Sequence, residues 1–203
     1  MMTVSTPAGT GARSAVEPAG RGPALVMAGS ALLFLGAATI FAWSLSHWSD
    51  TPREVVASPA EVIGCSLATI GAVLLVLNLP SVLTDLPAWA VTTTVAGLVF
   101  VVVDAWANGT LAVAVAQEVD ETTYEAIITS WLAFVMTVPK IVLCTVGLVA
   151  VGVLGRRHHA FGTGLLVLYV LAGVSAIVPP FMPLGVVGSA AFFCTALLRR
   201  SER

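Results

Sequence analysis

The stretch WLAFVMTVPKIVLCTVGLVAVGVL, residues 131–154, decides the fold because it is long and apolar enough to cross a lipid bilayer. A helix of about 20 apolar residues spans the roughly 30 Å of hydrocarbon in a membrane. Its one charged residue, Lys140, is also the only lysine of the chain. A charge at membrane depth needs a partner, a water-filled pocket or a path back to the surface. We therefore expect any functional site in the core to involve Lys140.

The composition of the whole chain agrees with this stretch. Hydrophobic residues make up 58% of the 203 residues and charged residues 10%, whereas a soluble domain carries about 25% charged residues. Such a chain buries its apolar surface against lipid, so we predict an all-α polytopic membrane protein whose main partner is the lipid bilayer. The net charge of −2 provides no basic face for phosphates, which argues against nucleic acid as a partner.

Apolar runs predict a bundle of six transmembrane helices that form one domain over residues 23–200. Residues 1–22 are rich in Gly, Ala, Pro and Ser and predict a disordered cytoplasmic tail. An acidic segment, 109–130, is predicted to be an outer loop between the third and fourth spans. A helix lying at the interface and an extension of the third span remain open alternatives for it. The predicted spans are 23–45, 59–82, 89–108, 131–154, 160–178 and 183–198.

The distribution of arginine predicts the orientation. With six spans, one side of the membrane receives all the arginines except Arg53, and the acidic segment falls on the same side as Arg53. Positive residues near span ends stay in the cytoplasm, so we expect both termini to be cytoplasmic.

Three intramembrane charges are candidate site residues: Lys140, Asp104 and Glu61. Lys140 shares a helix face with Cys144 and Gly147, and small residues on that face predict that it turns toward other helices. Asp104 or Glu61 is the expected partner of the lysine. The alternatives are a structural ion pair, a lysine that extends to the surface, and an ion or proton site.

Other polar features carry weaker expectations. The acidic segment is interpreted as a solvated loop or as a vestibule that attracts cations. The three cysteines lie in apolar runs without paired spacing, so we expect membrane-core residues, no metal site and no cofactor. Enzyme signatures are absent, so we name no catalytic residue and favour a non-enzymatic protein. The acidic candidates are Glu118, Asp120, Glu121 and Glu125.

A basic turn Gly155-Arg156-Arg157, the acidic loop before Trp131 and the final Leu197-Leu198-Arg199-Arg200 give the chain its overall pattern. In these features it resembles small six-span membrane proteins of unknown function from actinobacteria. The resemblance implies residence in a bacterial cell membrane and assigns no functional residue.

Two hypotheses for function follow from these observations. The first is a non-enzymatic membrane component that acts through a membrane-protein partner or as a homo-oligomer. The second is a small transporter or channel-like protein with an ion or proton site at Lys140 and Asp104.

Overall fold

The computed structural model describes residues 21–178 and 182–202, with the backbone alone for residues 131–136, and its regular structure there is all helical. This confirms the predicted all-α class. Residues 1–20 of the predicted tail lie outside the described residues, whereas Arg21 and Gly22 already belong to the first helix. The α-helices are α1 Arg21–Ser46, α2 Pro52–Val56, α3 Pro59–Asn78, α4 Ala88–Ala107, α5 Val113–Glu118, α6 Glu121–Ile128, α7 Trp131–Arg157, α8 Thr163–Ser175 and α9 Met182–Ser201.

Five helical segments in the described residues are long and apolar enough to cross a membrane, which indicates a membrane-embedded protein. They are α1, α3 with its 3₁₀ extension, α4 continued through α5, the part of α7 from Thr137 onward, and α9. The predicted span at 160–178 contains only the 13-residue helix α8. At 1.5 Å per residue this helix is about 20 Å long, less than the thickness of a bilayer core.

The six membrane-length or near-length helices pack in chain order. Each of α1, α3, α4, α7, α8 and α9 makes its extensive contacts with the helices before and after it, and α1 against α9 closes the ring. Consecutive helices of this ring lie antiparallel and side by side, as in other helix bundles.

One end of the bundle, here called the arginine end, holds the start of α1 and the ends of α3, α7 and α9. The Arg199 guanidinium lies 2.5 Å from the Asp85 carboxylate in the turn between α3 and α4, and 3.0 Å from Glu202. Gly22 of α1 lies against Ser81 beside that turn. These contacts hold the end of α9 and the start of α1 against the α3–α4 turn.

The opposite end, here called the acidic end, holds residues 47–58 and the acidic segment. This segment forms helices rather than an extended loop. After α4, a π-helical turn at Asn108–Ala112 leads directly into α5, so the third predicted span runs on to Glu118. The separate helix α6 begins after Asp120, whose carboxylate accepts a hydrogen bond from the backbone N–H of Thr123 at 2.8 Å. That bond holds the pKa of Asp120 below its usual value.

Glycines set the close approach of α1 and α3. Gly29 and Gly36 of α1 face Gly71 and Gly64 of α3, and both pairs are seven residues apart along their helices. A Cβ added at Gly71 would lie 2.5 Å from the backbone nitrogen of Leu33 and 2.6 Å from the Gly29 carbonyl oxygen. The neighbouring atoms are backbone and cannot move aside without separating the helices. Small residues at such positions are the usual means of tight helix packing in membranes.

We expect Gly71→Ala to destabilise the bundle by about 1–3 kcal/mol, the usual cost of overpacking. Thermal unfolding of the detergent-solubilised protein measures this effect. Gly164→Ala is the matched control because nothing lies within 4 Å of a Cβ placed there. Equal melting temperatures for the two variants would contradict the proposed close contact.

Candidate intramembrane charge site

Lys140 and Asp104 form an ion pair between α7 and α4. The lysine Nζ lies 2.6 Å from Asp104 Oδ2, and the two side chains are 3% and 18% exposed. Since α7 remains helical through Pro139, the lysine enters the pair from a continuous helix. The structure thus brings together two of the three intramembrane charges that the sequence singled out.

Close packing of α4 on α7 places this pair. A Cβ added at Gly97 of α4 would lie 2.8 Å from the backbone nitrogen of Cys144, and one at Gly147 of α7 would lie 2.7 Å from Thr94 Cα. Cys144 and Gly147 are therefore on a face of α7 that turns toward α4. Lys140 lies one helical turn before Cys144 on this face, so its stem runs along the interface.

Asn108 holds the second oxygen of Asp104. Its side-chain amide donates to Asp104 Oδ1 at 3.3 Å and to the Asp104 backbone carbonyl at 2.9 Å. Both carboxylate oxygens therefore have a donor, one charged and one neutral. Asn108 also begins the π-helical turn, and such turns occur frequently at functional sites.

Glu61 is buried on α3 but does not pair with Lys140. Glu61 is 7% exposed, and its Oε1 accepts a hydrogen bond from the Cys65 thiol at 3.5 Å. Among the described residues its Oε2 has no hydrogen-bond or ion-pair partner. A buried carboxylate without a cation is costly unless a proton or a cation neutralises it.

Cys65 lies between this carboxyl and the π-helical turn that begins at Asn108. Its thiol donates to Glu61 Oε1 at 3.5 Å. A Cβ on Gly109, in the π-helical turn, would lie 2.5 Å from Cys65 Cβ. The polar cluster therefore extends across three helices and consists of Glu61, Cys65, Asp104, Asn108 and Lys140.

Cys65 and Asn108 are members of the polar cluster that the sequence did not single out as site residues. Cys65 was expected to be a simple core residue, although it lies four residues after Glu61. Asn108 lies four residues after Asp104. In a helix this spacing puts side chains on one face, and it was the available signal for both residues.

A cavity of about 340 Å³ at the acidic end reaches the polar cluster. Glu61 and Asn108 line it together with His47 and Asp50, which lie in the loop after α1, and with Val55 of α2. Lys140 and Asp104 are not among its lining residues. The ion pair is thus separated from this cavity by Asn108.

The four acidic candidates of the segment 109–130 lie outside the polar cluster. Glu118, Asp120 and Glu125 are exposed and Glu121 is half-buried. Of the residues in α6, Tyr124 is the buried one, at 2% exposed. Burial raises the pKa of its phenol, and the charges of Glu61 and Glu121 add to this shift.

Comparison with known proteins found no match among protein-family models, curated proteins or solved structures. The function is therefore inferred from the geometry and chemistry of the polar cluster.

Lys140→Ala and Asp104→Ala should each lower the free energy of unfolding by about 3–5 kcal/mol, because each leaves a buried charge without its partner. The double variant Lys140→Met with Asp104→Leu should lose much less, since apolar residues then replace both charges. Thermal unfolding in detergent of the two single variants and the double variant measures the coupling. Wild-type stability in both single variants would show that the ion pair does not stabilise the fold.

Proposed function

We propose that the protein is a small transporter or channel-like protein of a bacterial plasma membrane, with a proton or small-cation site at its acidic end. The observation that carries this proposal is the buried Glu61 carboxyl. It lines an open cavity, yet no cation among the described residues neutralises it. Intramembrane carboxylates of this kind mark ion and proton pathways in membrane proteins.

In this proposal the chain crosses the membrane six times, with both termini in the cytoplasm. The arginine end carries Arg156, Arg157, Arg199 and Arg200, and cytoplasmic ends of membrane helices are rich in such residues. The cavity at the acidic end then opens to the outside. For α8 to cross, residues on either side of its 13-residue helix complete the fifth span.

The charges of the acidic end support attraction of a cation. Asp50, Glu118, Asp120 and Glu125 are exposed carboxylates near the cavity mouth or on the adjoining helices. A concave surface lined by one sign of charge raises the local concentration of counter-ions. Cations and protons are thus concentrated near Glu61 before they enter the cavity.

The ion pair supplies the second part of the mechanism. A proton or cation that reaches Asp104 past Asn108 competes with the Lys140 ammonium for the carboxylate. When this competition succeeds, the lysine loses the partner that ties α7 to α4. A change at the acidic end is in this way coupled to the contact between two membrane helices, as alternating access requires.

In proteoliposomes, the wild-type protein should carry a proton or alkali-cation flux that Lys140→Met reduces at least tenfold. The loss follows because the variant removes the charge that exchanges with the transported cation. A pH-sensitive dye inside the vesicles, with sodium and potassium gradients tested separately, measures the flux.

Glu118→Gln is the matched control for this experiment, since it removes an exposed carboxylate at the same end outside the polar cluster. Its flux should equal that of the wild type. The Lys140→Met, Asp104→Leu double variant covers the case in which the single variant does not fold. Flux in either Lys140 variant at the wild-type rate would overturn the proposal, as would a wild type that carries none of the three ions.

A second candidate function is a non-enzymatic membrane component that acts through a partner protein or a second copy of the chain. The observation that favours it is that Lys140 and Asp104 already neutralise each other. Lys140 is paired at 2.6 Å and does not line the acidic-end cavity. Such a pair can serve to fix helix order alone. This candidate predicts a stable complex after mild detergent extraction, and a complex that also survives Lys140→Met.

A further inference from the structure

We infer that the acidic-end cavity binds a small protonated organic amine. This inference rests on the proposed function, because it names the class of cation that the same site accepts. It goes beyond a proton or a bare metal ion and is drawn from the size, the walls and the charge of the cavity.

The size of the cavity favours a molecule rather than a single ion. Its volume of about 340 Å³ lies within the range of roughly 300–1,000 Å³ that is typical of small-molecule sites. Most of its wall is apolar, with Ile40, Val55, Val56 and Met182 among the lining residues. An apolar wall of this kind matches the alkyl part of an organic ligand.

The polar groups of the cavity select a positive charge. Glu61 and Asp50 are both carboxyl groups, and no lysine or arginine is among the lining residues. Glu61 Oε2 has no partner in the described residues and can accept a hydrogen bond from an ammonium group. Trp48 adds an aromatic ring to the same lining, and an aromatic face attracts an organic cation.

The same lining suits a divalent metal ion poorly. Calcium takes six to eight oxygen ligands, and magnesium demands near-ideal octahedral geometry. In this cavity side-chain oxygens come from only four residues, Ser44, Asp50, Glu61 and Asn108, and most of the other lining residues are apolar. Two carboxyl groups on an apolar wall match an ammonium group with a hydrocarbon tail.

The part of the cavity wall that α2 forms is already ordered without a ligand. Thr51 accepts a hydrogen bond from the Glu54 backbone N–H, and the Glu54 carboxylate accepts one from the Thr51 backbone N–H at 3.0 Å. This capping box fixes the first turn of α2, which contributes Pro52, Val55 and Val56 to the cavity. A preformed wall reduces the entropy that binding would otherwise cost.

Titration of the full detergent-solubilised chain with butylammonium chloride, followed by calorimetry, tests the inference. Butylammonium should bind, while butanol of the same shape and sodium chloride at equal ionic strength should not. Glu61→Gln should weaken binding at least tenfold, because it removes the negative charge that faces the ammonium. Glu118→Gln, an exposed carboxylate outside the cavity, should leave the affinity unchanged.

Val55→Phe keeps both carboxyl groups and narrows the cavity from its α2 wall, so it should also weaken binding of butylammonium if Glu61→Gln does not fold. The inference is overturned if butylammonium does not bind, if butanol binds equally well, or if neither cavity variant changes the affinity. Proton flux without amine binding would leave the proposed transport intact and refute the amine. Amine binding without any flux would support the ligand class and refute transport.

Discussion

A lysine ammonium among apolar helices cannot remain without a counter-charge, and this requirement determines how α4 and α7 meet. The partner must come from another helix, because α7 itself carries no acidic residue. Asp104 provides it near the end of α4, which fixes both the rotation of α4 and its register along α7. Glycines at 97 and 147 then let the two backbones approach closely enough for the pair to form. The ion pair and the two glycines thus favour the same packing of α4 against α7.

The remaining helices are held by shape rather than by charge. Lipid is as apolar as the helix surfaces, so burial from water does not drive helices together inside a membrane. The glycine contacts between α1 and α3 and the polar pair between α4 and α7 replace that driving force. Between α8 and α9, the hydroxyl of Tyr169 forms a hydrogen bond with the hydroxyl of Thr195 at 2.9 Å. Phe192 of α9 packs edge-on against the tyrosine ring. The pairs α1–α3, α4–α7 and α8–α9 therefore each have their own specific contact.

Sequence patterns predicted the long helices and the residues that join at the ion pair, because membrane burial makes both strongly dependent on composition. Hydrophobic length identified the five helical segments of membrane length, and the cost of a buried charge identified Lys140 and Asp104. The continuation of α4 past Asn108 was only one alternative, since acidic residues such as Glu118 lower the hydropathy without ending a helix. The position of Glu61 away from Lys140 could not be derived either. It depends on the rotation of α3, which the glycines facing α1 determine, and no charge pattern reports that rotation.

Asn108 belongs both to the ion-pair site and to the lining of the acidic-end cavity. Its amide donates to the carboxylate that neutralises Lys140, and its side chain also borders the cavity that contains Glu61. It begins the π-helical turn, and such turns are rare and occur frequently at functional sites. In the proposed function, a ligand that draws the Asn108 amide toward the cavity removes one donor from Asp104. The ion pair between α4 and α7 is weakened as a result.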